Sequence, residues 1–217
     1  MAMAANDTNS TVMFDSPTSK YLVLFDGIKI ETTVTGKAKI TDEWIQLILS
    51  THAGNQLVIG MDTEWMRSNK MKTAILQLCV EDKCLIFQLS HMDDDIPESL
   101  RSFLMDYDFK FVGVGVMNDI KKLKNEYGLE CKNGIDVSTL AVTQWPGRFS
   151  SRGLKYLAKE LVGLDMKKSK DVCTSEWQLK ELTKEQVEYA CIDAYASFKI
   201  GKKLLIENKE IIPNLSD

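Results

Sequence analysis

Long apolar runs are missing from this sequence, which has no stretch of about 18 apolar residues that could cross a membrane. Its first twenty residues are polar, without the apolar core of a secretory signal or the arginines of a transit peptide, since Arg67 is the first arginine. We therefore expect an intracellular protein of the cytoplasm or nucleus that is not secreted and has no membrane partner. No Cys-x-x-Cys pair occurs, and the five cysteines are expected to be reduced, mostly buried thiols.

The chain also lacks internal repeats and, beyond its start, low-complexity linkers. Its 217 residues, 44% of them hydrophobic, suffice for one packed domain. We predict a disordered tail over residues 1–18 and a single domain over residues 19–217. An excess of positive charge is missing as well, since the net charge is −4. A non-specific nucleic-acid binder is usually basic, so this charge is unlike that of such a protein.

What the sequence does contain is a set of acidic residues in informative places. In the segment LVIGMDTEW, residues 57–65, alternating apolar residues predict a strand. Asp62 and Glu64 are two positions apart on it and therefore point to the same face. Neighbouring carboxylates repel unless a proton or cation lies between them, and all-oxygen ligands suit Mg²⁺ or Mn²⁺. The alternative is an ordinary Asp-x-Glu pair at the solvated end of a strand.

A third acid begins a predicted helix. Residues 110–116 (KFVGVGV) predict a buried strand, and Asn118 is positioned to cap the helix that follows. Asp119 then lies in the first helical turn, where the helix dipole stabilises it whatever else it does.

The last acid lies on a late helix with a tyrosine. Thr183 and Gln186 predict a capping box that starts this helix. Tyr189 and Asp193 are four positions apart and therefore share one helix face. The alternative is a common Tyr-Asp pair on a partly solvated helix.

The remaining patterns predict a mixed α/β domain. An antiparallel set of strands comes first, and its first two members are joined by the hairpin signal Asp26-Gly27. The predicted strands cover residues 21–25, 29–34, 58–64, 74–80, 84–88, 110–116 and 134–137. The predicted helices cover residues 42–51, 98–105, 119–127, 153–162 and 184–209.

The order of these pieces resembles the DEDD superfamily of 3′-to-5′ exonucleases, in its tyrosine subclass. Between about residues 57 and 205, the stretches DTEW, FVGVGVMNDIKKL and LTKEQVEYACIDAYASFKI are most similar to the Werner-type exonuclease domain. The compact size and the segment FDGIKIETTVTG also resemble the small plant RISC-interacting clearing exoribonucleases. The histidine subclass needs a histidine just before the last acid, and this chain has only His52 and His91. Departures from the Werner pattern are Met66-Arg67 after Trp65, and Asn118 before Asp119.

The resemblance implies a ribonuclease-H-like α/β fold, a mixed sheet flanked by helices, with two Mg²⁺ or Mn²⁺ ions in the site. Asp62, Glu64 and Asp193 would hold one ion. Asp62 would bridge to the second, which Asp119 would reach directly or through water. Tyr189 would orient the attacking water, and nucleoside 5′-monophosphates would be released from a nucleic-acid 3′ end.

The plant resemblance alone favours single-stranded RNA over DNA as the substrate. It also allows a ring-shaped homo-oligomer and a contact with Argonaute. Two alternatives stay open: a Werner-like DNA 3′-to-5′ exonuclease, and a catalytically weak nucleic-acid-binding or assembly module of the same fold.

Basic and aromatic residues near these acids indicate where nucleic acid would bind. The segment 145–152 (WPGRFSSR) interleaves aromatic side chains, which stack bases, with arginines, which hold phosphates. The predicted nucleic-acid-binding residues are Thr63, Trp65, Lys121, Lys122, Arg148, Arg152 and Lys155. For the lysines, the competing interpretation is a solvated lysine-rich face. For residues 145–152, it is a plain surface loop with Trp145 packed into the core.

Overall fold

An eight-stranded mixed sheet forms the centre of the computed structural model, which describes residues 11–15, 19–67, 72–93, 95–167 and 169–207. The strands lie in the order β1-β2-β3-β6-β5-β4-β7-β8 across the sheet. Their bounds are β1 Thr11–Asp15, β2 Lys20–Phe25, β3 Ile28–Thr35, β4 Leu57–Trp65, β5 Thr73–Val80, β6 Lys83–Phe87, β7 Phe109–Gly113 and β8 Gly134–Asp136.

Helices cover both faces of this sheet. They are α1 Ala38–Thr51, α2 Glu98–Leu104, α3 Val116–Tyr127, α4 Val137–Gln144, α5 Leu154–Val162, α6 Lys170–Cys173 and α7 Lys184–Lys202. A 3₁₀ turn spans Leu89–His91, and a π-helical turn, Lys203–Glu207, follows α7. None of the helices in the described ranges has the length and apolar content to cross a membrane.

Part of the predicted N-terminal tail is ordered. Thr11–Asp15 forms β1 and pairs antiparallel with β2, so the tail prediction is wrong for these five residues. The run Thr-Val-Met-Phe includes β-branched and aromatic residue types, which have a high β propensity. The rest of the predicted tail, residues 1–10 and 16–18, lies outside the described residues.

We predicted that the first strands form an antiparallel set, and this is wrong for one pair. β3 and β6 run parallel, with register pairs from Glu31–Lys83 to Thr35–Phe87. Helix α1 carries the chain away after β3, and the antiparallel run β4-β5-β6 then returns it beside β3 in the same direction. β7 also pairs in parallel with β4 and with β8. Strand direction was misjudged because it depends on these non-local connections and leaves no mark in the local pattern.

Local turn chemistry was predicted better. Asp26 and Gly27, with φ of 51° and 74°, form the predicted hairpin between β2 and β3. Asn118 does not cap α3, however. The helix begins earlier, at Val116, because Gly115 takes a left-handed conformation with φ of 75° at the N-cap. Two short helices, α4 and α6, were missed, and the predicted end of the last helix at residue 209 lies outside the described residues.

Two hydrophobic layers sandwich the sheet. One contains Ile75 and Cys79 of β5 together with much of α7, and the other contains Leu76 and Leu78 of the same strand with α1 and α2. Alternate residues of β5 thus enter opposite layers, and all of β5 is buried. All five cysteines are free; Cys79, Cys84 and Cys191 are buried, Cys131 is half-buried and Cys173 is exposed.

Helix α7 lies directly on the backbone of β4 at Gly60. A Cβ atom added at Gly60 would overlap the carbonyl oxygen of Ala194 and come within 2.6 Å of the amide nitrogen of Phe198. These are backbone atoms of a buried helix, so a side-chain rotation cannot relieve the overlap. The missing side chain of Gly60 therefore sets how closely α7 approaches the sheet.

Replacing Gly60 with alanine is expected to lower the free energy of unfolding by about 1–3 kcal/mol, the usual cost of overpacking a core. Gly134→Ala is the matched control. Its added Cβ would meet the flexible end of the Ile120 side chain, so the loss should be smaller. Urea denaturation of both variants measures the difference. Equal midpoints for Gly60→Ala and the wild type would show that α7 does not pack on Gly60.

Candidate active site

Three carboxylates from two elements converge at one end of the α7–β4 contact. Asp62 and Glu64 come from β4, and Asp193 comes from α7. One oxygen from each of these side chains lies within 4.8 Å of the others. Asp193 is buried, and the other two are half-buried. The structure thus brings together three of the four acids that the sequence singled out.

Hydrogen bonds anchor the start of α7, which fixes the position of Asp193 relative to the sheet. The predicted capping box is present: the Thr183 hydroxyl accepts from the Gln186 amide at 3.2 Å, and the Gln186 side chain accepts from the Thr183 amide at 2.9 Å. The Gln186 side-chain nitrogen also donates to the Ser175 hydroxyl at 2.9 Å and the Glu176 carbonyl at 3.1 Å. These bonds tie the first turn of α7 to the segment after α6.

Tyr189 lies one turn before Asp193 on α7 and is 9% exposed. Burial raises the pKa of its hydroxyl far above the ordinary value, and the charge of Asp193, a hydrogen bond with Cys173 and the charge of Glu64 add to this rise. The hydroxyl therefore stays protonated at neutral pH. It can donate or accept a hydrogen bond at the site but is not a ready base.

Two neighbours of Tyr189 were missed by sequence reasoning. The Trp177 ring packs on the tyrosine ring with centroids 5.9 Å apart, and the Trp177 indole nitrogen donates to the Cys173 carbonyl at 3.2 Å. Both residues belong to or follow α6, which has only four residues and no periodic signal.

Asp119 lies on α3, outside the cluster of three carboxylates, and is 6% exposed. The Thr63 hydroxyl donates to its carboxylate at 2.7 Å. Burial raises the pKa of Asp119, opposed by the bond from Thr63 and the charge of Lys122 and reinforced by Asp136. Asp119 thus lies in the first turn of α3, as predicted, and its carboxylate is fixed by the hydrogen bond from Thr63.

Asp136 is a further acid near Asp119 that the sequence analysis did not consider. One carboxylate oxygen accepts from the amide of Gly115, the residue before α3, at 2.7 Å. The other caps α4 by accepting from the amides of Ser138 and Thr139 at 2.9 and 3.0 Å. Although burial alone would raise the pKa of Asp136, a hydrogen bond from the Ser138 hydroxyl at 2.6 Å and the bonds from these three amides together lower it. The signal was present, because Asp followed by Val-Ser-Thr is a usual helix start.

Gln77 adds a polar group beside Asp62. It lies on β5 directly opposite Asp62, so both side chains point to the same face of the sheet. It is fully buried, and its amide oxygen and nitrogen find no hydrogen-bond partner among the described residues. An unpaired buried amide is costly, so its placement beside Asp62 indicates that this end of the site is built for polar ligands.

The structure separates the predicted nucleic-acid-binding residues into two groups. Thr63 is buried, whereas Trp65 is 37% exposed with the Lys122 ammonium 4.2 Å from its ring centre. Lys121, the residue before Lys122 on α3, is exposed. The second group consists of Arg148, Arg152 and Lys155, all exposed before or on α5.

Arg148 belongs to a small aromatic cluster. Its guanidinium lies 5.0 Å from the ring centre of Trp145 and 5.3 Å from that of Phe149. Trp145 is half-buried and packs against the core layer that contains α7, so the competing interpretation holds for part of this side chain.

A groove of about 190 Å³ opens beside Tyr189 and Asp193. Its other lining residues are Lys167, Ser169, Val172, Glu185, Glu188 and Ile192. A larger cavity of about 340 Å³ lies between α1 and the β2–β3 hairpin and contains none of the predicted site residues. The smaller groove therefore lies beside the carboxylate cluster, which it meets at Asp193.

Comparison with known proteins agrees with this geometry. Residues 35–208 match the profile of the 3′-5′ exonuclease family. Over 152 residues the chain is 34% identical to a 3′-5′ exonuclease of Arabidopsis thaliana, covering 67% of this chain and 52% of that protein. It is 31% identical over 152 residues to the bifunctional 3′-5′ exonuclease/ATP-dependent helicase WRN of Mus musculus, covering 68% of this chain and 11% of that protein.

Among solved structures, Escherichia coli RNase D, an exoribonuclease involved in structured RNA processing, has the same fold. The TM-score is 0.68 at 20% identity, over 82% of this chain and 45% of RNase D. The mixed sheet with its flanking helices is thus a ribonuclease-H-like fold, as predicted.

The chain belongs to the 3′-5′ exonuclease family, and the predicted membership of the DEDD superfamily is confirmed. It spans about half the length of the Arabidopsis relative and a much smaller share of WRN.

We expect Mn²⁺ to stabilise the protein against unfolding through the three carboxylates. A ligand at about 100 times its dissociation constant adds about 2.7 kcal/mol to the free energy of unfolding. Asp193→Asn should lose most of this gain, because it removes one anionic ligand. Glu160→Gln, an exposed acid on α5, should keep it. Urea denaturation with and without Mn²⁺ measures the effect, and an equal gain in both variants would place the cation elsewhere.

Proposed function

We propose that this protein is a metal-dependent 3′-to-5′ exonuclease of the tyrosine subclass that releases nucleoside 5′-monophosphates. The observation that carries the proposal is the convergence of Asp62, Glu64 and Asp193, with Tyr189 one turn away on the same helix. Family membership supports the reaction class.

The donor set fits Mg²⁺ or Mn²⁺. All three side chains offer carboxylate oxygens, the ligands that hard divalent cations prefer. The side-chain amide of Gln77, on the strand beside Asp62, has no hydrogen-bond partner among the described residues and adds another polar group. When bound, such ions activate water and stabilise the charge that develops on phosphate. Asp62, Glu64 and Asp193 would hold one ion, and Asp62 and Asp119 would hold a second.

The remaining chemistry belongs to Tyr189. Because burial and the neighbouring carboxylates keep its hydroxyl protonated, we assign it the role of orienting the attacking water by a hydrogen bond rather than removing its proton. The packed Trp177 ring holds the tyrosine ring in place.

A nucleic-acid strand would leave the site along α5. This helix packs against α7, and the segment before it presents Arg148 on the rings of Trp145 and Phe149. Such a cluster can stack a base and hold a phosphate. Arg152 and Lys155 continue the positive surface. Few phosphate contacts suffice for an enzyme that must hold only the end of a strand, which reconciles the function with the net charge of −4.

We propose single-stranded RNA as the preferred substrate, on the resemblance to the small plant exoribonucleases. RNA is distinguished from DNA by contacts to the 2′-hydroxyl, so matched oligonucleotides decide the question. A ring-shaped homo-oligomer, a contact with Argonaute and a location in the cytoplasm or nucleus stay predictions that follow from the same resemblance or from the sequence.

Asp62→Ala is expected to abolish release of mononucleotides from 3′-ended oligomers, because it removes a ligand shared by both proposed ions. EDTA should have the same effect on the wild type. Matched RNA and DNA oligomers labelled at the 5′ end, with Mg²⁺ or Mn²⁺, provide the measurement. Asp62→Ala should still bind a single strand, as measured by fluorescence anisotropy, and Asp108→Ala, an exposed acid, is the control.

Several results would overturn parts of this proposal. Full activity in EDTA would exclude the metal mechanism. Faster cleavage of DNA than of RNA would favour the Werner-like alternative, and binding without cleavage would favour the weak binding or assembly module.

Tyr189→Phe is expected to lower kcat by roughly ten- to a thousand-fold while KM changes little, since it removes only the hydroxyl that orients the water. Tyr107→Phe, at a 75% exposed tyrosine, is the matched control and should be neutral. Single-turnover cleavage of a 3′-ended oligomer measures the rate. Wild-type turnover in Tyr189→Phe would make this tyrosine a packing residue and exclude the tyrosine subclass.

A further inference from the structure

The Thr63 hydroxyl sits between two other side chains in a short relay. The indole nitrogen of Trp65 donates to the Thr63 oxygen at 3.2 Å, and the same hydroxyl donates to the carboxylate of Asp119 at 2.7 Å. Thr63 and Asp119 are 6% exposed, whereas Trp65 is 37% exposed. The relay therefore runs from the surface to the buried carboxylate of Asp119.

The direction of these hydrogen bonds follows from the chemistry of the groups. An indole nitrogen can only donate, and an ionised carboxylate can only accept. A threonine hydroxyl has one proton and accepts through its oxygen. With Trp65 donating to that oxygen, the single proton of Thr63 is directed at Asp119.

The relay reaches Asp119 from the far side of β4. Thr63 and Trp65 alternate with Asp62 and Glu64 along the strand, so they point to the opposite face, toward α3. β4 thus contributes metal-binding acids on one face and a hydrogen-bond donor to a fourth acid on the other.

The outer end of the relay is held in place by α3 as well. The Lys122 ammonium lies 4.2 Å from the ring centre of Trp65 and 3.7 Å from the carboxylate of Glu126. Glu126 in turn accepts from the amide of Thr73 on β5 at 2.7 Å. Trp65 is therefore fixed between Lys122 and Thr63, which keeps its indole nitrogen aimed at the threonine.

We propose that Thr63 and Trp65 are positioning residues that set the orientation of the Asp119 carboxylate in the active site. This inference rests on the proposed exonuclease function for its kinetic effect. It also replaces a direct contact of Thr63 with nucleic acid, because a buried hydroxyl engaged with Asp119 is not available to a strand.

Thr63→Val removes the hydroxyl and keeps the shape, whereas Thr63→Ser keeps the hydroxyl. Because a hydrogen bond to a charged group is lost, Thr63→Val is expected to lower kcat by roughly 10- to 100-fold with KM for the oligomer unchanged. Thr63→Ser should retain most of the wild-type rate. Trp65→Phe keeps a ring beneath Lys122 but loses the indole donor, and it should lower kcat by a smaller factor.

A second readout does not depend on cleavage. Isothermal titration with Mn²⁺ alone should show a severalfold weaker apparent affinity for Thr63→Val than for Thr63→Ser or the wild type. The indole N–H resonance of Trp65, assigned by its loss in Trp65→Phe, should shift in Thr63→Val and be restored in Thr63→Ser. If the wild type cleaves nothing, the exonuclease proposal fails, while these two measurements still test the relay.

Three outcomes would overturn the relay. Wild-type kcat and Mn²⁺ affinity in Thr63→Val would show that Asp119 is oriented by other groups. Equal losses in Thr63→Val and Thr63→Ser would assign the effect to packing. A raised KM with unchanged kcat would make Thr63 part of the nucleic-acid path.

Discussion

The close contact between α7 and β4 at Gly60 is the constraint on which the candidate site depends. Backbone atoms of α7 occupy the space where any other residue would place a side chain. At that separation Asp193 meets Asp62 and Glu64 with oxygens within 4.8 Å. A larger separation would leave three ordinary acids on two elements, with no common ligand position between them.

Three ionised carboxylates held this close together are electrostatically unfavourable. Like charges at this distance repel, and partial burial strengthens the repulsion. The cost is offset elsewhere, because most of α7 is buried against the sheet and its first turn is fixed by the Thr183–Gln186 capping box. The helix and the strand can therefore hold the three carboxylates close together without rearranging. A site for divalent cations needs its ligands fixed in this way.

The site also uses both faces of a single strand. Asp62 and Glu64 face α7, and Thr63 and Trp65 face α3. Asp136 contributes to the contacts on the α3 side. Its carboxylate accepts a hydrogen bond from the amide of Gly115, the residue before α3, and it also caps α4. The orientation of Asp119 thus depends on two strands, β4 and β8, which lie on either side of β7, and on two helix starts.

How much the sequence could predict is clearest at β4 and α7. The alternation along β4 places Asp62 and Glu64 on one face, and the capping box fixes the phase that puts Tyr189 and Asp193 together. Both predictions use contacts within a few residues, for which a residue pattern is sufficient. The start of α3 was misplaced because Gly115 is held by the distant Asp136, and the parallel pairing of β3 with β6 was missed for a similar reason.

By itself, therefore, the sequence determined most of the elements, the faces on which Asp62, Glu64 and Asp193 lie, and the family to which the chain belongs. Only the tertiary structure decided that Asp193 lies beside Asp62, that the Thr63 hydroxyl donates to Asp119, and that Gln77 is paired with Asp62 across two strands. Periodicity records which way a side chain points from its own element. The distance between two elements depends on packing at residues such as Gly60, whose contacts are far apart along the chain.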